Sequence, residues 1–154
     1  MEGFTLFGEQ MILAGIFCFV YWCVDKRLGR FLAIALGVSL CLNGAVKDIF
    51  KVERLFGASG ITSLRVETAT GYSFPSGHTQ ASTTLWGGLL IAAKRPIVRV
   101  MLAFLILMVG LSRLYLGVHF LTDVIAGFGI GAFFVYFGIA FRLETLRQLG
   151  SRRG

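Results

Sequence analysis

The sequence contains little charge for its length, and this shortage narrows the class of protein. Asp, Glu, Lys and Arg make up 15% of the 154 residues, whereas 56% are hydrophobic and the mean hydropathy is +0.78. A soluble domain of this size leaves much of its surface in water and could not hide so many apolar side chains. The composition therefore indicates a membrane protein, and the length predicts a single domain over residues 1–154.

Cysteine and histidine are also scarce, which argues against a disulfide framework and a zinc site. The three cysteines, Cys18, Cys23 and Cys41, are odd in number and lie in or beside apolar segments. We interpret them as small packing residues and predict no disulfide. The two histidines lack the supporting cysteines or carboxylate cluster that zinc spacing requires, so we predict neither a metal nor another cofactor.

Apolar residues are concentrated in five segments, at about 8–24, 31–50, 79–93, 97–116 and 120–141. Most of them approach the ~20 residues that a helix needs to cross a bilayer. The third is shorter, but Pro75 and Ser76 precede it, and proline is tolerated in the first turn of a helix. The pattern predicts an all-α, polytopic transmembrane bundle with about five spanning helices.

Basic residues are distributed unevenly between the connections, which predicts the orientation. The first and third connections and the C-terminal tail carry ten of the fifteen, namely Lys26, Arg27, Arg30, Lys94, Arg95, Arg99, Arg142, Arg147, Arg152 and Arg153. The positive-inside rule places these ten in the cytoplasm. The long polar stretch 51–74 then forms a loop or short surface helix on the outer face. The basic residues form no patch on a soluble face, so we predict no nucleic-acid partner.

The two histidines lie at breaks between apolar segments, both on the predicted outer side. His119 and Asp123 are four residues apart, which places them on one face of a helix. A carboxylate beside an imidazole fixes its tautomer and makes the other ring nitrogen a better nucleophile. The alternative is a histidine at a helix start, capped by a nearby carboxylate. A carboxylate in an apolar segment nevertheless favours a functional role.

The second histidine closes the run Pro75-Ser76-Gly77-His78. Glycine lets the backbone approach a ligand closely, and a helix N-terminus directs N–H groups at an anion. Ser76 adds a hydroxyl and can cap the helix, and His78 could protonate a leaving oxygen. The alternative is an ordinary serine-capped helix start.

Three basic residues on the same predicted side could bind phosphate oxygens: Arg113, Lys47 and Arg54. A guanidinium binds phosphate through two parallel hydrogen bonds. The alternative for each is a basic residue at a helix end whose charged group extends to the membrane interface.

In these motifs the chain resembles the type 2 phosphatidic acid phosphatase superfamily, which also contains vanadium haloperoxidases and bacterial acid phosphatases. The family signature has three parts: Lys, six residues, Arg-Pro; then Pro-Ser-Gly-His; then Ser-Arg, five residues, His, three residues, Asp. The second and third parts are intact at 75–78 and 112–123. The first is present as Lys47 and Arg54, but Leu55 stands where the family has proline. Integral members usually have six helices, so the five segments indicate either a minimal version of the family or a family core that lacks the first helix.

The resemblance implies a role for each site residue. His119 would attack phosphorus and form a phosphohistidine, Asp123 would orient it, and His78 would protonate the leaving oxygen and then help to activate water. The phosphoryl oxygens would be held, without a metal, by Lys47, Arg54, Ser76, Gly77 and Arg113.

The membrane setting favours a lipid phosphate or diphosphate as substrate: undecaprenyl diphosphate, phosphatidylglycerophosphate or phosphatidic acid. We place the protein in a bacterial cytoplasmic membrane, with the active site on the extracytoplasmic face and the basic C-terminus in the cytoplasm. Two alternatives remain: a lipid phosphotransferase that uses the same phosphohistidine, and a non-catalytic lipid-phosphate binding or transport component. A haloperoxidase is disfavoured, because a membrane bundle offers that chemistry no evident advantage.

Overall fold

The structure, a computed structural model, describes the backbone of residues 2–53 and 71–151 and the side chains of residues 3–53 and 71–138. Every regular element in these ranges is helical. In chain order they are α1 (Glu2–Leu6), α2 (Gln10–Phe19), a π-helical turn (Val20–Val24), α3 (Lys26–Phe50), α4 (Gly77–Ala92), α5 (Pro96–Tyr115) and α6 (Leu121–Ser151). The predicted all-α fold is therefore confirmed.

The predicted apolar segments correspond to α2 with its π turn and to α3, α4, α5 and α6. By length and composition, α3, α5 and the part of α6 at Leu121–Gly138 could each cross a membrane. The apolar helix Gln10–Val24 is shorter, and α4 has 16 residues. The short helix α1 was not predicted. Helix α3 begins five residues earlier than expected because the Asp25 carboxylate caps it, accepting from Leu28 N–H at 2.7 Å.

Helix α4 lies in the centre of the bundle, in contact with α2, α3, α5 and α6. Many of its buried side chains are polar: Thr79, Gln80, Ser82, Thr83 and Thr84. Helix α6 approaches α4 closely at two glycines one turn apart. A Cβ atom on Gly131 would lie 2.6 Å from Thr83 Cβ, and one on Gly127 would lie 2.9 Å from Ser76 O. Small residues at such spacing let helix backbones pack closely in membranes.

A buried polar network of three side chains, Ser39 and Asn43 on α3 and Gln80 on α4, joins the two helices. Asn43 Nδ2 donates to Gln80 Oε1 at 2.8 Å, and Gln80 Nε2 donates to Ser39 O at 2.6 Å and to Ser39 Oγ at 2.9 Å. Buried polar groups are costly unless they are hydrogen-bonded, so these bonds favour one alignment of the two helices.

The outer surface of the bundle is strongly apolar, as a lipid-facing surface must be. The core contains Leu13, Leu32, Leu36, Leu85 and Trp86. Large apolar side chains exposed on α3, α5 and α6 include Ile34, Val38, Val100, Met101, Phe104, Leu107, Phe133, Tyr136 and Phe137. An exposed apolar area this extensive is typical of membrane contact.

Cys23 and Cys41 are exposed and Cys18 is partly buried, and all three are free thiols.

Candidate active site

His119 and Asp123 form a buried pair where α5 gives way to α6. Gly117, with φ of 64°, makes the turn that separates the two helices. His119 Nδ1 lies 3.2 Å from Asp123 Oδ2, and the Phe120 N–H donates to the same oxygen at 2.9 Å. Asp123 is 1% exposed and His119 4% exposed. A carboxylate on Nδ1 leaves Nε2, on the other side of the ring, as the nitrogen suited to nucleophilic attack.

The segment before α4 contacts this pair directly. The Ser73 hydroxyl donates to Asp123 Oδ2, and Ser73 Oγ lies 3.4 Å from His119 Nδ1. The Ser76 N–H donates to the Asp123 carbonyl oxygen at 3.0 Å. Two motifs that are about forty residues apart in sequence are thus brought together. Ser73 was not predicted to belong to the site, because its only signal in the sequence is a hydroxyl two residues before Pro75.

The Pro75-Ser76-Gly77-His78 run forms the start of α4, as predicted. Ser76 occupies the N-cap position, but the predicted capping hydrogen bond is wrong: the hydroxyl pairs with Thr79 Oγ1 at 3.0 Å instead of a backbone N–H. Gly77 opens the helix, and a Cβ on it would lie 3.3 Å from Asn43 Oδ1. A cis peptide bond joins Phe74 to Pro75.

Arg113 is fully buried in the last turn of α5. Its Nη1 donates to Thr5 Oγ1 at 2.7 Å, and Thr5, on α1, is also fully buried. The next residues hold α1 in place, because Trp86 Nε1 donates to Phe7 O at 2.9 Å. A Cβ on Gly8 would lie 3.3 Å from His78 Cβ. The N-terminal segment, which sequence analysis left without a role, therefore packs against both Arg113 and His78.

Lys47 lies in the last turn of α3 and is partly buried. Asn43, one turn earlier, points its amide at Pro75 O across 3.4 Å, so this face of α3 runs beside the start of α4. Arg54 and Leu55 lie outside the described residues. The structure therefore brings Ser76 into contact with Asp123, which pairs with His119, and places Gly77 and His78 in the first turn of α4. Arg113 and Lys47 lie in the last turns of α5 and α3.

Together these residues give one end of the bundle the groups that phosphoryl transfer uses. A histidine–carboxylate pair lies beside a helix N-terminus, with a second histidine in the first turn of that helix. Within residues 2–53 and 71–151, no three His, Cys, Asp or Glu side chains are grouped so that they could hold a metal ion.

Several proteins are similar in sequence to this chain. Phosphatidylglycerophosphatase B of Bacillus subtilis is 31% identical over 90 residues, which cover 51% of this chain and 44% of that protein. Human sphingosine-1-phosphate phosphatase 2 is 29% identical over 83% of this chain and 33% of its own length. Undecaprenyl-diphosphatase of Sulfolobus acidocaldarius is 29% identical over 74% of this chain and 55% of that protein. The chain thus spans roughly a third to a half of the length of these relatives.

Two crystal structures share the fold. The transmembrane PAP2-type phosphatidylglycerolphosphate phosphatase of Bacillus subtilis superposes with a TM-score of 0.75 at 24% identity, over 93% of this chain and 75% of that one. LpxE of Aquifex aeolicus superposes with a TM-score of 0.79 at 22% identity, over 90% of this chain and 82% of that one. The sequence profile of the PAP2 superfamily matches residues 28–147, which contain both histidines and most of the helical bundle. The chain is therefore a member of the PAP2 superfamily.

Proposed function

We propose that the protein is a membrane-embedded lipid phosphatase that hydrolyses a phosphomonoester or diphosphate through a phosphohistidine, without a metal ion. The observation that carries this proposal is the buried His119–Asp123 pair, which lies in contact with the segment leading into α4. A site that only binds phosphate needs cations but no nucleophile held by a carboxylate.

In the first step, His119 Nε2 attacks phosphorus while the bond from phosphorus to the leaving oxygen breaks. Asp123 keeps the proton on Nδ1 and stabilises the positive charge that develops on the ring. The leaving group is a lipid alkoxide, or a lipid phosphate when the substrate is a diphosphate. His78, in the first turn of α4, gives it a proton.

In the second step, water attacks the phosphohistidine. His78, now neutral, accepts a proton from that water, the nitrogen–phosphorus bond breaks, and inorganic phosphate leaves with His119 restored. The acid and the base are thus the same imidazole in its two protonation states.

The negative charge on the phosphoryl oxygens is balanced by Lys47, Arg54 and Arg113, with the Ser76 hydroxyl and the Gly77 N–H. What supports this set is the burial of Arg113 and the position of Gly77 at the start of α4. Fixed donors away from bulk water stabilise developing charge more strongly than solvated ones do. Such a set can carry the charge that a metal ion carries in other phosphatases.

We propose a lipid phosphate or diphosphate as the substrate, with undecaprenyl diphosphate, phosphatidylglycerophosphate and phosphatidic acid as candidates. One relative is named for undecaprenyl diphosphate, one for phosphatidylglycerophosphate and one for sphingosine 1-phosphate. A site at one end of a membrane bundle can take a headgroup from the interface while the apolar chain stays in lipid. The compactness of the chain is what suggests a bacterial cytoplasmic membrane. The basic connections at the other end of the bundle favour an extracytoplasmic site.

The proposal is tested by measuring phosphate release in detergent from a panel of prenyl and glycerolipid phosphates, with EDTA present. We expect turnover that survives EDTA and disappears in His119→Ala. Release of phosphate only when a divalent metal is added would contradict the metal-free mechanism.

The same panel separates the two alternatives. A phosphotransferase consumes the lipid phosphate but moves the phosphoryl group to an alcohol acceptor, so the loss of lipid exceeds the inorganic phosphate formed. A binding or transport component retains lipid phosphate without turnover, and His119→Ala leaves that binding largely intact.

A further inference from the structure

We propose that Ser73 is a positioning residue, which holds the Asp123 carboxylate against His119 so that the imidazole presents Nε2 to phosphorus. Its effect on catalysis rests on the proposed function. The positioning itself rests on hydrogen bonds within the described residues and can be tested without a substrate.

The hydrogen bonds leave one consistent assignment of protons. A hydroxyl has one hydrogen to donate, and the Ser73 hydroxyl donates to Asp123 Oδ2. Ser73 Oγ can therefore only accept from His119 Nδ1, which lies 3.4 Å away. An ionised carboxylate also accepts only, and it lies 3.2 Å from the same nitrogen. His119 Nδ1 thus faces two acceptors, so it must carry the proton.

Ser73 is itself held firmly enough to fix the carboxylate. It is fully buried, and its N–H donates to Val52 O at 2.8 Å, which ties this segment to the residues that follow α3. Three residues later, the Ser76 N–H donates to the Asp123 carbonyl oxygen. Ser73 and Phe120 N–H therefore approach the same carboxylate oxygen from two separate parts of the chain.

The alternative is that Ser73 only packs in the segment before α4. A packing residue would affect folding and substrate binding, but it would not change which nitrogen of His119 carries the proton. Removal of a positioning residue changes which nitrogen carries the proton and lowers the rate of the chemical step, but it leaves substrate binding nearly unchanged.

The first arm of the test is nuclear magnetic resonance of the full chain in detergent micelles, labelled with ¹⁵N in its histidine rings. The chain has two histidines, so His78→Gln assigns both rings. We expect His119 as the Nδ1–H tautomer in the wild type. In Ser73→Ala we expect a mixture that includes the Nε2–H tautomer. Ser82 is on α4 and, like Ser73, is fully buried. Ser82→Ala should leave the His119 signals unchanged.

The second arm is steady-state kinetics on the lipid phosphate that the wild type hydrolyses best. We expect Ser73→Ala to lower kcat about ten- to a hundredfold, at or below the ~10²–10⁴-fold that a proton-transfer group itself contributes, because Ser73 acts only through Asp123. KM should stay within about threefold. Ser82→Ala should stay within twofold of the wild type.

The proposal is overturned if Ser73→Ala leaves the His119 tautomer unchanged, whatever happens to KM or thermal stability. It is also overturned if kcat stays within twofold in an active enzyme. If the wild type hydrolyses no lipid, the proposed function fails, and the tautomer measurement alone then decides the role of Ser73.

Discussion

At the residue scale, the Asp123 carboxylate links the two parts of the site. Its Oδ2 receives the Phe120 N–H, the Ser73 hydroxyl and His119 Nδ1, and all of these contacts lie at the start of α6. In the mechanism we propose, Asp123, itself held by Ser73 and the Phe120 N–H, orients the imidazole and keeps the proton on Nδ1. An asparagine at this position would keep the shape of the side chain, but one of its two terminal atoms would be an NH₂ donor in place of an oxygen acceptor.

Asp123→Asn should consequently lower kcat by up to about 10⁴-fold, the loss seen when the orienting carboxylate of a Ser-His-Asp triad is replaced by its amide. The measurement is steady-state phosphate release at saturating lipid. Asp48→Asn removes an exposed carboxylate from the end of α3 and serves as the control, with activity near wild type. Activity of Asp123→Asn within tenfold of the wild type would argue against an orienting role.

The contact between Arg113 and Thr5 gives a second prediction. Thr5→Val removes the acceptor for Arg113 Nη1 and keeps the shape of the side chain. A hydrogen bond to a charged group contributes about 1.5–3 kcal/mol to folding stability, so we expect Thr5→Val to lower Tm in detergent. We also expect kcat/KM to fall, because the Arg113 guanidinium is then held less firmly. Thr83→Val is the matched control, because the buried Thr83 hydroxyl donates only to Thr79 O one turn away in its own helix. Equal losses in the two variants would show a general cost of buried hydroxyls.

The residues of the signature were predictable from sequence because they follow one another at fixed short spacings. Ser73, Thr5 and Asn43 were not. Their partners are distant in the chain: 108 residues separate Thr5 from Arg113, and 50 separate Ser73 from Asp123. Nothing in local periodicity marks a hydroxyl whose partner lies on another helix. The capping role predicted for Ser76 failed for a different, local reason: its hydroxyl pairs with the hydroxyl of Thr79, three residues along the chain, instead of with a backbone N–H.

At the element scale, the packing of α4 against α6 depends on glycine. Gly131→Ala would place a Cβ 2.6 Å from Thr83 Cβ and 2.8 Å from Gln80 O, and a backbone oxygen cannot move aside cheaply. Overpacking of this kind costs about 1–3 kcal/mol. We expect a lower Tm in detergent and reduced phosphate release, because α4 carries His78.

Gly129 offers a control on the same helix. A Cβ at Gly129 meets nothing within 4 Å, so Gly129→Ala should keep the wild-type Tm or raise it slightly, since alanine favours helix more than glycine does. If the two alanine variants had the same Tm, the close approach of α4 and α6 would not limit stability.

The helices were predicted well where apolar composition alone determines them, as in α5, expected at 97–116 and found at Pro96–Tyr115. The prediction was weaker where polar or backbone contacts decide. Five residues are too few for α1 to show a period, and the π turn at Val20–Val24 leaves no mark in an apolar run. The central place of α4 was also hidden, because its buried residues are largely polar. Gln80 and Thr84 pair with Ser39 on α3, whereas Thr79 and Thr83 form hydrogen bonds within or just before α4.

At the scale of the whole molecule, the connections at the two ends of the bundle differ in charge. Lys26 and Arg27 begin α3, and Lys94 and Arg95 lie just before α5, whereas the site lies at the opposite end of the bundle. This distribution favours a cytoplasmic location for the basic end. The site would then receive its substrate from the outer leaflet.

Cysteine labelling of intact bacterial cells tests the orientation. In a background with Cys18, Cys23 and Cys41 replaced by alanine, Glu53→Cys should react with a membrane-impermeant maleimide. Lys94→Cys should react only after lysis, and both residues are exposed. The reverse pattern of labelling would place the site on the cytoplasmic side.

The central claim, a covalent phosphohistidine on His119, is tested most directly by trapping it. The protein is mixed with a lipid phosphate carrying ³²P, quenched within one turnover and separated from lipid. We predict label on the chain that resists alkali and is lost in acid, as a phosphoramidate should be, and none on His119→Ala. Turnover by the wild type without labelled chain, or label that persists in His119→Ala, would contradict the account.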